Sequence, residues 1–158
     1  MTTTACSIQP VSNSEEIIAI IHAGFQRYAT DIPSSAMLET AALIDQQLQN
    51  GVEIFGAYVD DTLAGVVKMK EQDGLYFYRL AVDPIFQKRG IGSALMEHLK
   101  TVAAQRQLGR LHCTVRASEP DNIRFYQRLG FSIISEDMTT SPAGVTMPTY
   151  HMVYTVTQ

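Results

Sequence analysis

The stretch from Leu80 to Leu95 constrains the fold more than any other part of the sequence. It reads Leu-Ala-Val-Asp-Pro-Ile-Phe-Gln-Lys-Arg-Gly-Ile-Gly-Ser-Ala-Leu. An apolar run stops at Asp83-Pro84, two glycines follow within a basic segment, and apolar residues then recur at helical spacing. The pattern predicts a strand, a loop and a helix. Because the first N–H groups of a helix lack intrahelical partners and carry positive charge, such a loop suits an anion.

The side chains of this loop support an anion site of phosphate size. Gly90 and Gly92 allow close backbone approach, and Lys88 with Arg89 adds positive charge. The loop matches neither a P-loop nor a dinucleotide fingerprint, because it lacks a Lys-Ser or Lys-Thr pair and a third glycine. The alternative is a tight strand-to-helix turn without a ligand, in which the glycines serve packing and the lysine solubility.

Two segments together resemble the GNAT superfamily of acyl-CoA-dependent N-acyltransferases. Gln87-Lys88-Arg89-Gly90-Ile91-Gly92 is similar to its Gln/Arg-x-x-Gly-x-Gly/Ala signature, and Ile123 to Phe131 resembles its later tyrosine-bearing helix. The resemblance covers residues 52 to 135 well and the ends in outline. It implies an α/β fold with a mixed sheet of about seven strands. That sheet would be largely antiparallel, with a parallel pair formed by the fourth and fifth strands, and flanked by about four helices.

The resemblance also implies a donor, acetyl-CoA, and the residues that bind it. The backbone of Leu80, Ala81 and Val82 would meet the pantetheine amides. The loop amides would hold the pyrophosphate. The implied coenzyme A contacts are Gln87, Lys88, Arg89, Gly90, Ile91, Gly92, Ser93, Asn122 and Phe125. Glu119 stands where the family usually has asparagine, so Asn122 could instead be a helix-surface residue.

For catalysis, the resemblance makes Tyr126 the general acid that protonates the leaving thiolate. The alternative for Tyr126 is a helix aromatic that packs in the core. The glutamate that family members often use as base is missing, because Tyr76, Phe77, Tyr78 and Arg79 fill that region. Tyr78 could act as base or water relay. Alternatively, the amine arrives neutral, or a carboxylate elsewhere removes the proton.

The acceptor site is predicted in outline only. If the family's cleft is kept, its walls would include Phe25 and Tyr28 near the end of the first helix, and Tyr150 with His151 in the last strand. Each of these side chains could equally belong to the core or the surface. The acceptor itself would be a primary amine of a small molecule or a peptide.

Composition and charge narrow the class of protein. The 158 residues fit a single domain over 1–158, and 46% of them are hydrophobic. No apolar run approaches the ~20 residues that span a bilayer, and the start lacks a signal peptide pattern, so we expect a cytoplasmic protein without a membrane partner. Cys6 and Cys113 show no metal spacing, and no metal is expected. The sequence allows a homodimer.

The charges are unevenly distributed. Residues 1–75 carry ten acidic and three basic side chains, whereas residues 76–130, which include the loop, carry four acidic and nine basic ones. This polarity suits a polyanionic ligand, although solvated helix faces could produce it too. A pI near 5.5 argues against a nucleic-acid partner.

Periodicity predicts the remaining elements. Ser12 and Glu15 have capping-box spacing before a first helix, and Ser34 or Ser35 could cap a second. Strands are expected at 7–11, 52–59, 63–71, 75–82, 111–115, from 131 and at 152–156, with helices over 89–107 and 120–129. The resemblance, and not the periodicity, implies an N-acetyltransferase that works by direct attack of the amine. A catalytically weak or inactive acyl-CoA-binding module stays open as the alternative.

Overall fold

The computed structural model describes residues 5–26, 35–141 and 144–157. Within these residues, seven strands form one mixed sheet in the order β1-β2-β3-β4-β5-β7-β6. The strands are β1 (Ser7–Pro10), β2 (Glu53–Val59), β3 (Thr62–Glu71), β4 (Leu75–Val82), β5 (Arg110–Arg116), β6 (Ser132–Thr140) and β7 (Thr146–Thr155). The helices are α1 (Ser14–Phe25), α2 (Ala41–Gln49), α3 (Ile91–Gln105) and α4 (Pro120–Arg128).

The strand directions confirm the predicted fold class. β1/β2, β2/β3, β5/β7 and β6/β7 are antiparallel. β4 and β5 are parallel, and their register pairs Leu75 with Leu111 and Tyr76 with His112. The four helices and the parallel β4/β5 pair are those that the resemblance implied.

The chain divides into two compact units. The first draws on residues up to Lys70 and on Arg79–His98, and the second on Glu71–Tyr78 and on residues from Leu99 onward. In the first unit, the apolar face of α1, including Ile17 and Ile21, packs into a core with Ile44 of α2 and strand residues of the sheet. In the second unit, Leu75, Leu111 and Met152 are fully buried. Both units thus have apolar cores.

Two predicted helix starts are wrong. Asn13, not Ser12, caps α1, since its side chain accepts a hydrogen bond from the Glu16 N–H at 3.1 Å. Asparagine caps as well as serine does, so the spacing did not discriminate between them. Ser35 begins a short 3₁₀ turn, Ser35–Leu38, and Thr40 caps α2 by accepting from the Leu43 N–H at 3.2 Å. The predicted cap at Ser34 lies outside the described residues.

A tight hairpin turn joins β2 and β3. Asp60 and Asp61 both have positive φ, at 47° and 67°, as a two-residue turn between twisted strands requires. Gly65 marks both a bulge and a close approach of another strand's backbone. The β2/β3 register shifts beside it, and a Cβ at Gly65 would lie 3.1 Å from the carbonyl oxygen of Ala81.

Candidate active site

The glycine loop lies in the first unit, between the end of β4 and the start of α3. The Asp83 carboxylate accepts from the Ile85 N–H at 3.1 Å and starts a 3₁₀ turn, Pro84–Phe86. The Gln87 side chain donates to the Val82 carbonyl at 3.2 Å, which braces the loop against the end of the strand. Gln87 therefore shapes the loop in addition to its predicted place near the ligand.

Two positive φ angles turn the chain into α3. Lys88 has a φ of 63° and Gly90 a φ of 81°. The Gly90 carbonyl accepts from the Ala94 N–H at 3.0 Å, so α3 begins at Ile91, two residues later than predicted. This start puts the N–H groups of Ile91, Gly92 and Ser93 in the first turn, where helices lack internal acceptors. A helix start with free N–H groups is the kind of backbone that suits an anion.

The loop exposes basic side chains to solvent and is held to the protein by a buried side chain. Gln87, Lys88 and Arg89 are exposed, whereas Ile91 is buried. The Arg89 guanidinium lies 5.5 Å from the centre of the Phe86 ring, a cation–π distance. The basic side chains therefore face solvent on a backbone that the helix start holds in place.

Two glycines allow neighbouring elements to pack closely against the end of β4. A Cβ at Gly24 of α1 would lie 2.9 Å from the Ala81 Cβ and 3.2 Å from the Val82 nitrogen and carbonyl oxygen. Gly65 of β3 approaches the Ala81 carbonyl in the same way. The backbone of Leu80, Ala81 and Val82 is thus fixed by close packing. Sequence reasoning missed Gly24, because a single glycine in a helix has no local signal for what it approaches.

A buried ionic group lies just before this strand end, and sequence reasoning missed it as well. Glu39 bonds to Lys68 through one carboxylate oxygen and accepts from Arg79 Nε at 2.5 Å through the other. Lys68 also donates to the Gln47 side chain, and Arg79 to the Ser35 hydroxyl, both at 2.7 Å. We call Ser35, Glu39, Gln47, Lys68 and Arg79 the Glu39 network.

The Glu39 network is enclosed by protein. The side-chain exposure is 0% for Lys68, 6% for Glu39 and 23% for Arg79. Burial lowers the pKa of Lys68, and the hydrogen bond and charge of Glu39 oppose that shift. The one sign of this network in the sequence was a lysine within the apolar run of β3. A lysine there suggests a buried ion pair but does not indicate which residue forms it.

Arg79 has an unusual backbone. Its φ is 55°, in the left-handed region, inside a strand where non-glycine residues rarely adopt it. Such a conformation costs on the order of 1 kcal/mol or more and persists where surrounding contacts hold it. The bonds from Arg79 to Glu39 and Ser35 supply those contacts, immediately before the Leu80–Val82 backbone.

In the second unit, Tyr126 lies within an aromatic cluster. Its ring centre is 5.7 Å from that of Phe77, 5.6 Å from that of Phe131 and 5.1 Å from that of Phe125. Phe131 in turn contacts Tyr154. This packing fixes the direction of the Tyr126 side chain, which is half-buried on α4. Phe77 faces this cluster, so Tyr76 and Tyr78, which alternate with it along β4, point to the other face of the sheet.

On that other face, a polar strip runs across three strands. We define it as Tyr76 and Tyr78 of β4, His112 and Thr114 of β5, and His151 of β7. The rings of Tyr76 and Tyr78 stack at 5.8 Å, and Tyr76 lies 5.1 Å from the His112 ring. The Tyr76 hydroxyl is 3.5 Å from the Thr114 hydroxyl, and His112 Nδ1 is 2.9 Å from His151 Nε2. Sequence reasoning named the tyrosines and His151 but did not join them.

The other predicted residues are dispersed. Phe25 packs against the core of the first unit. Tyr150 lies in β7 opposite Val115 and Glu136, and Tyr28 is outside the described residues. Asn122 and Phe125 are half-buried on α4.

Glu119 is the N-cap residue of α4 and makes no side-chain capping bond. Burial raises the pKa of the Cys113 thiol well above its usual range, so Cys113 is a poor nucleophile. Across residues 5–26, 35–141 and 144–157, no group of three or more His, Cys, Asp or Glu side chains could hold a metal ion. No helix in the described part of the chain is long and apolar enough to cross a lipid bilayer.

Comparisons with known proteins give a consistent result. Over 60 residues the chain is 40% identical to the ribosomal protein bS18-alanine N-acetyltransferase of Escherichia coli K12, a match to 38% of this chain and 40% of that protein. It is 26% identical over 140 residues to the mycothiol acetyltransferase of Propionibacterium freudenreichii, covering 82% of this chain and 43% of that one. The chain thus spans about two fifths of the length of these two relatives.

A solved structure shares the fold. The crystal structure of the ribosomal-protein-S18-alanine N-acetyltransferase from Escherichia coli matches 98% of this chain and 96% of its own, with a TM-score of 0.75 and 20% identity. The sequence profile described as the acetyltransferase (GNAT) family matches residues 17–131, which include the glycine loop and the Tyr126 helix. Because that match covers well over half of the sequence, the chain belongs to the acetyltransferase (GNAT) family.

Proposed function

We propose that this protein, acting as one domain over residues 1–158, transfers an acetyl group from acetyl-CoA to a primary amine. The observation that carries the proposal is the glycine loop at the start of α3, within the part of the chain that matches the family profile. Two positive φ angles and exposed basic side chains there support an anion site. The pyrophosphate of coenzyme A has the charge and size for it.

The donor would be held by backbone and loop. The amides of Ile91, Gly92 and Ser93 bind the pyrophosphate, with charge from Lys88 and Arg89. The backbone of Leu80–Val82 binds the pantetheine arm, and close packing by Gly24 and Gly65 keeps that backbone rigid. Asn122 and Phe125 are the proposed contacts from α4. A preorganised backbone binds without the entropy cost of ordering it.

Tyr126 is the proposed general acid. Its ring is held by Phe77, Phe125 and Phe131, so its hydroxyl has a defined direction. The amine nitrogen forms a bond to the thioester carbonyl carbon, the C–S bond breaks, and the hydroxyl gives its proton to the leaving thiolate. Tyr78 is proposed as a water relay on the acceptor side. The buried Cys113, with its raised pKa, is consistent with direct attack without a cysteine intermediate.

The acceptor is proposed only as a class. The names of the relatives mention an alanine of a ribosomal protein in one case and mycothiol in the other. We propose a primary amine of a small molecule or peptide, with Phe25, Tyr28 and Tyr150 as wall residues. A cytoplasmic location, a homodimer and the absence of a nucleic-acid partner are predictions from sequence.

The donor site can be tested with Gly92→Asp. The added carboxylate should block the pyrophosphate by bulk and charge, so coenzyme A binding measured by calorimetry should be lost. Gly109→Asp is the matched control, because a Cβ there meets nothing within 4 Å and the same charge is added. Coenzyme A binding that survives Gly92→Asp would place the anchor elsewhere.

The chemistry can be tested by measuring release of free coenzyme A thiol across a panel of amines. Tyr126→Phe should lower turnover about 10²-fold or more with coenzyme A affinity unchanged. Tyr154→Phe, in the same aromatic cluster, should leave turnover unchanged. Tight coenzyme A binding without turnover on any amine would instead identify an acyl-CoA-binding module.

A further inference from the structure

Arg79 combines a left-handed backbone with a side chain that is held at two points. Its φ is 55° inside β4, and its guanidinium donates to the Glu39 carboxylate at 2.5 Å and to the Ser35 hydroxyl at 2.7 Å. Glycine adopts such a φ without steric cost, whereas a residue with a Cβ does so at a cost in free energy. The two side-chain bonds of Arg79 offset that cost and keep the conformation in place.

The acceptor of the first of these bonds is itself fixed. The Glu39 side chain is 6% exposed, and its second carboxylate oxygen bonds to the fully buried Lys68. The Glu39 carbonyl accepts from His22 Nε2 of α1 at 3.0 Å, and the Glu39 N–H donates to the Ala36 carbonyl at 3.2 Å. Arg79 is thus bonded to a carboxylate that is held by both its side chain and its backbone.

The segment that follows Arg79 is also held at its other end. The Asp83 N–H donates to the Ala64 carbonyl of β3 at 2.8 Å, and only Leu80–Val82 lies between that bond and Arg79. A change of the Arg79 φ from 55° to the roughly −120° of a regular strand would turn the chain by about 175° about one backbone bond. Because hydrogen bonds weaken steeply away from a linear geometry, such a turn would spoil bonds from this segment to a ligand.

We infer that Arg79 is a positioning residue for coenzyme A, and that Glu39 and Ser35 hold its side chain for that purpose. The inference rests on the proposed function, in which the Leu80–Val82 backbone bonds to the pantetheine arm. Arg79 does not touch the coenzyme in this role, but fixes the direction of the peptide groups that do. A backbone that is fixed before the ligand arrives binds without the entropy cost of ordering it.

This role predicts a loss that is confined to one half of the ligand. The compound 3′-phospho-ADP is the nucleotide half of coenzyme A and has the pyrophosphate but no pantetheine. The glycine loop that would bind it has its own support, in the bond from the Ile85 N–H to the Asp83 carboxylate and in the start of α3. A disturbed Arg79 should therefore weaken the binding of coenzyme A and leave that of 3′-phospho-ADP unchanged.

The test compares Arg79→Ala with Arg79→Gly by calorimetry with both ligands. Both variants lose the bonds to Glu39 and Ser35, but only glycine adopts the left-handed φ without strain. We expect Arg79→Ala to weaken coenzyme A binding about tenfold, which is the size of effect that such backbone strain has on an equilibrium constant. Arg79→Gly should weaken it less, and neither variant should change the binding of 3′-phospho-ADP.

Gln107 supplies the matched control. It is exposed, follows α3 and has a φ of 58°, so it shares the backbone conformation of Arg79. Gln107→Ala and Gln107→Gly should leave the affinity for both ligands unchanged.

Ser35→Ala is the variant to use if circular dichroism shows that the Arg79 variants do not fold. It removes one bond of Arg79 and keeps the buried pair of Glu39 and Lys68. We expect it to weaken coenzyme A binding about two- to fivefold, as the loss of one hydrogen bond would. An unchanged affinity in Ser35→Ala would overturn the inference.

The outcomes separate this inference from the proposed function. If Arg79→Ala keeps the coenzyme A affinity of the wild type, the positioning role is overturned while the function stands. Equal losses for the two ligands, or equal losses in Arg79→Ala and Arg79→Gly, would show a general structural role and overturn it too. If the wild type binds coenzyme A but transfers acetyl to no amine, the proposed function fails and the positioning role stands.

Discussion

Glu39→Gln is the sharpest test of the Glu39 network. The substitution keeps the volume of the side chain and removes its charge, so Lys68 becomes a fully buried cation without a carboxylate. Removing one partner of a buried ion pair costs about 3–5 kcal/mol, because the remaining charge stays desolvated. With a urea m-value of about 2 kcal/mol/M, the unfolding midpoint should fall by about 1.5–2.5 M.

The chain contains a matched control. Glu71 and Arg106 also form an ion pair, at 2.9 Å, but their side chains are 54% and 33% exposed. Glu71→Gln should cost about 0–1 kcal/mol, because water solvates both partners and screens their attraction. Urea unfolding followed by circular dichroism measures both variants under the same conditions.

A double variant tests the physical cause. Lys68→Met in the Glu39→Gln background removes the unpaired buried charge and should recover much of the lost stability, since apolar replacement of a buried ion pair is often neutral. The reasoning is refuted if Glu39→Gln costs no more than Glu71→Gln, or if Lys68→Met worsens the single variant. A cost without rescue would mean that the loss comes from Arg79 and its positive φ.

Three further predictions follow from other contacts. Gly24→Ala should cost about 1–3 kcal/mol and weaken coenzyme A binding, because its Cβ would lie 2.9 Å from that of Ala81, whereas Gly109→Ala should do neither in the same assays. The lowered pKa of His112 means that, below about pH 6.5, the unfolded chain takes up a proton that the folded protein refuses. The contribution of His112 to the unfolding free energy should therefore drop by up to about 1.4 kcal/mol per pH unit as pH falls. His112→Gln should reduce the slope in pH-dependent urea titrations, and the rest includes His98, whose pKa burial also lowers. Cys113 should resist iodoacetamide under native conditions, and its rapid alkylation, read by mass spectrometry, would contradict its burial.

Much of the fold was determined by local sequence. The strands β2, β3 and β4 occur within one residue of their predicted bounds. The Asp-Asp and Asp-Gly turns between these apolar runs fix where each strand can begin and end. The predicted strand, loop and helix occur in that order around the glycine loop, in which Gly90 has a positive φ. The helix N-caps were harder to predict. Ser12 and Asn13 are both good caps for α1, and Thr40 is one for α2, so small differences in chain direction decide which residue caps each helix.

What the sequence alone could not determine are the contacts between residues distant along the chain. Glu39 contacts Lys68, which is 29 residues away in the sequence, and Arg79, which is 40 residues away. His112 contacts His151 at a separation of 39 residues. Each is a polar residue at a buried position, where only the pairing of strands and the packing of helices selects its partner. Local propensity acts over a few residues. The tertiary structure therefore decided which buried charges are paired and which two imidazoles are in contact.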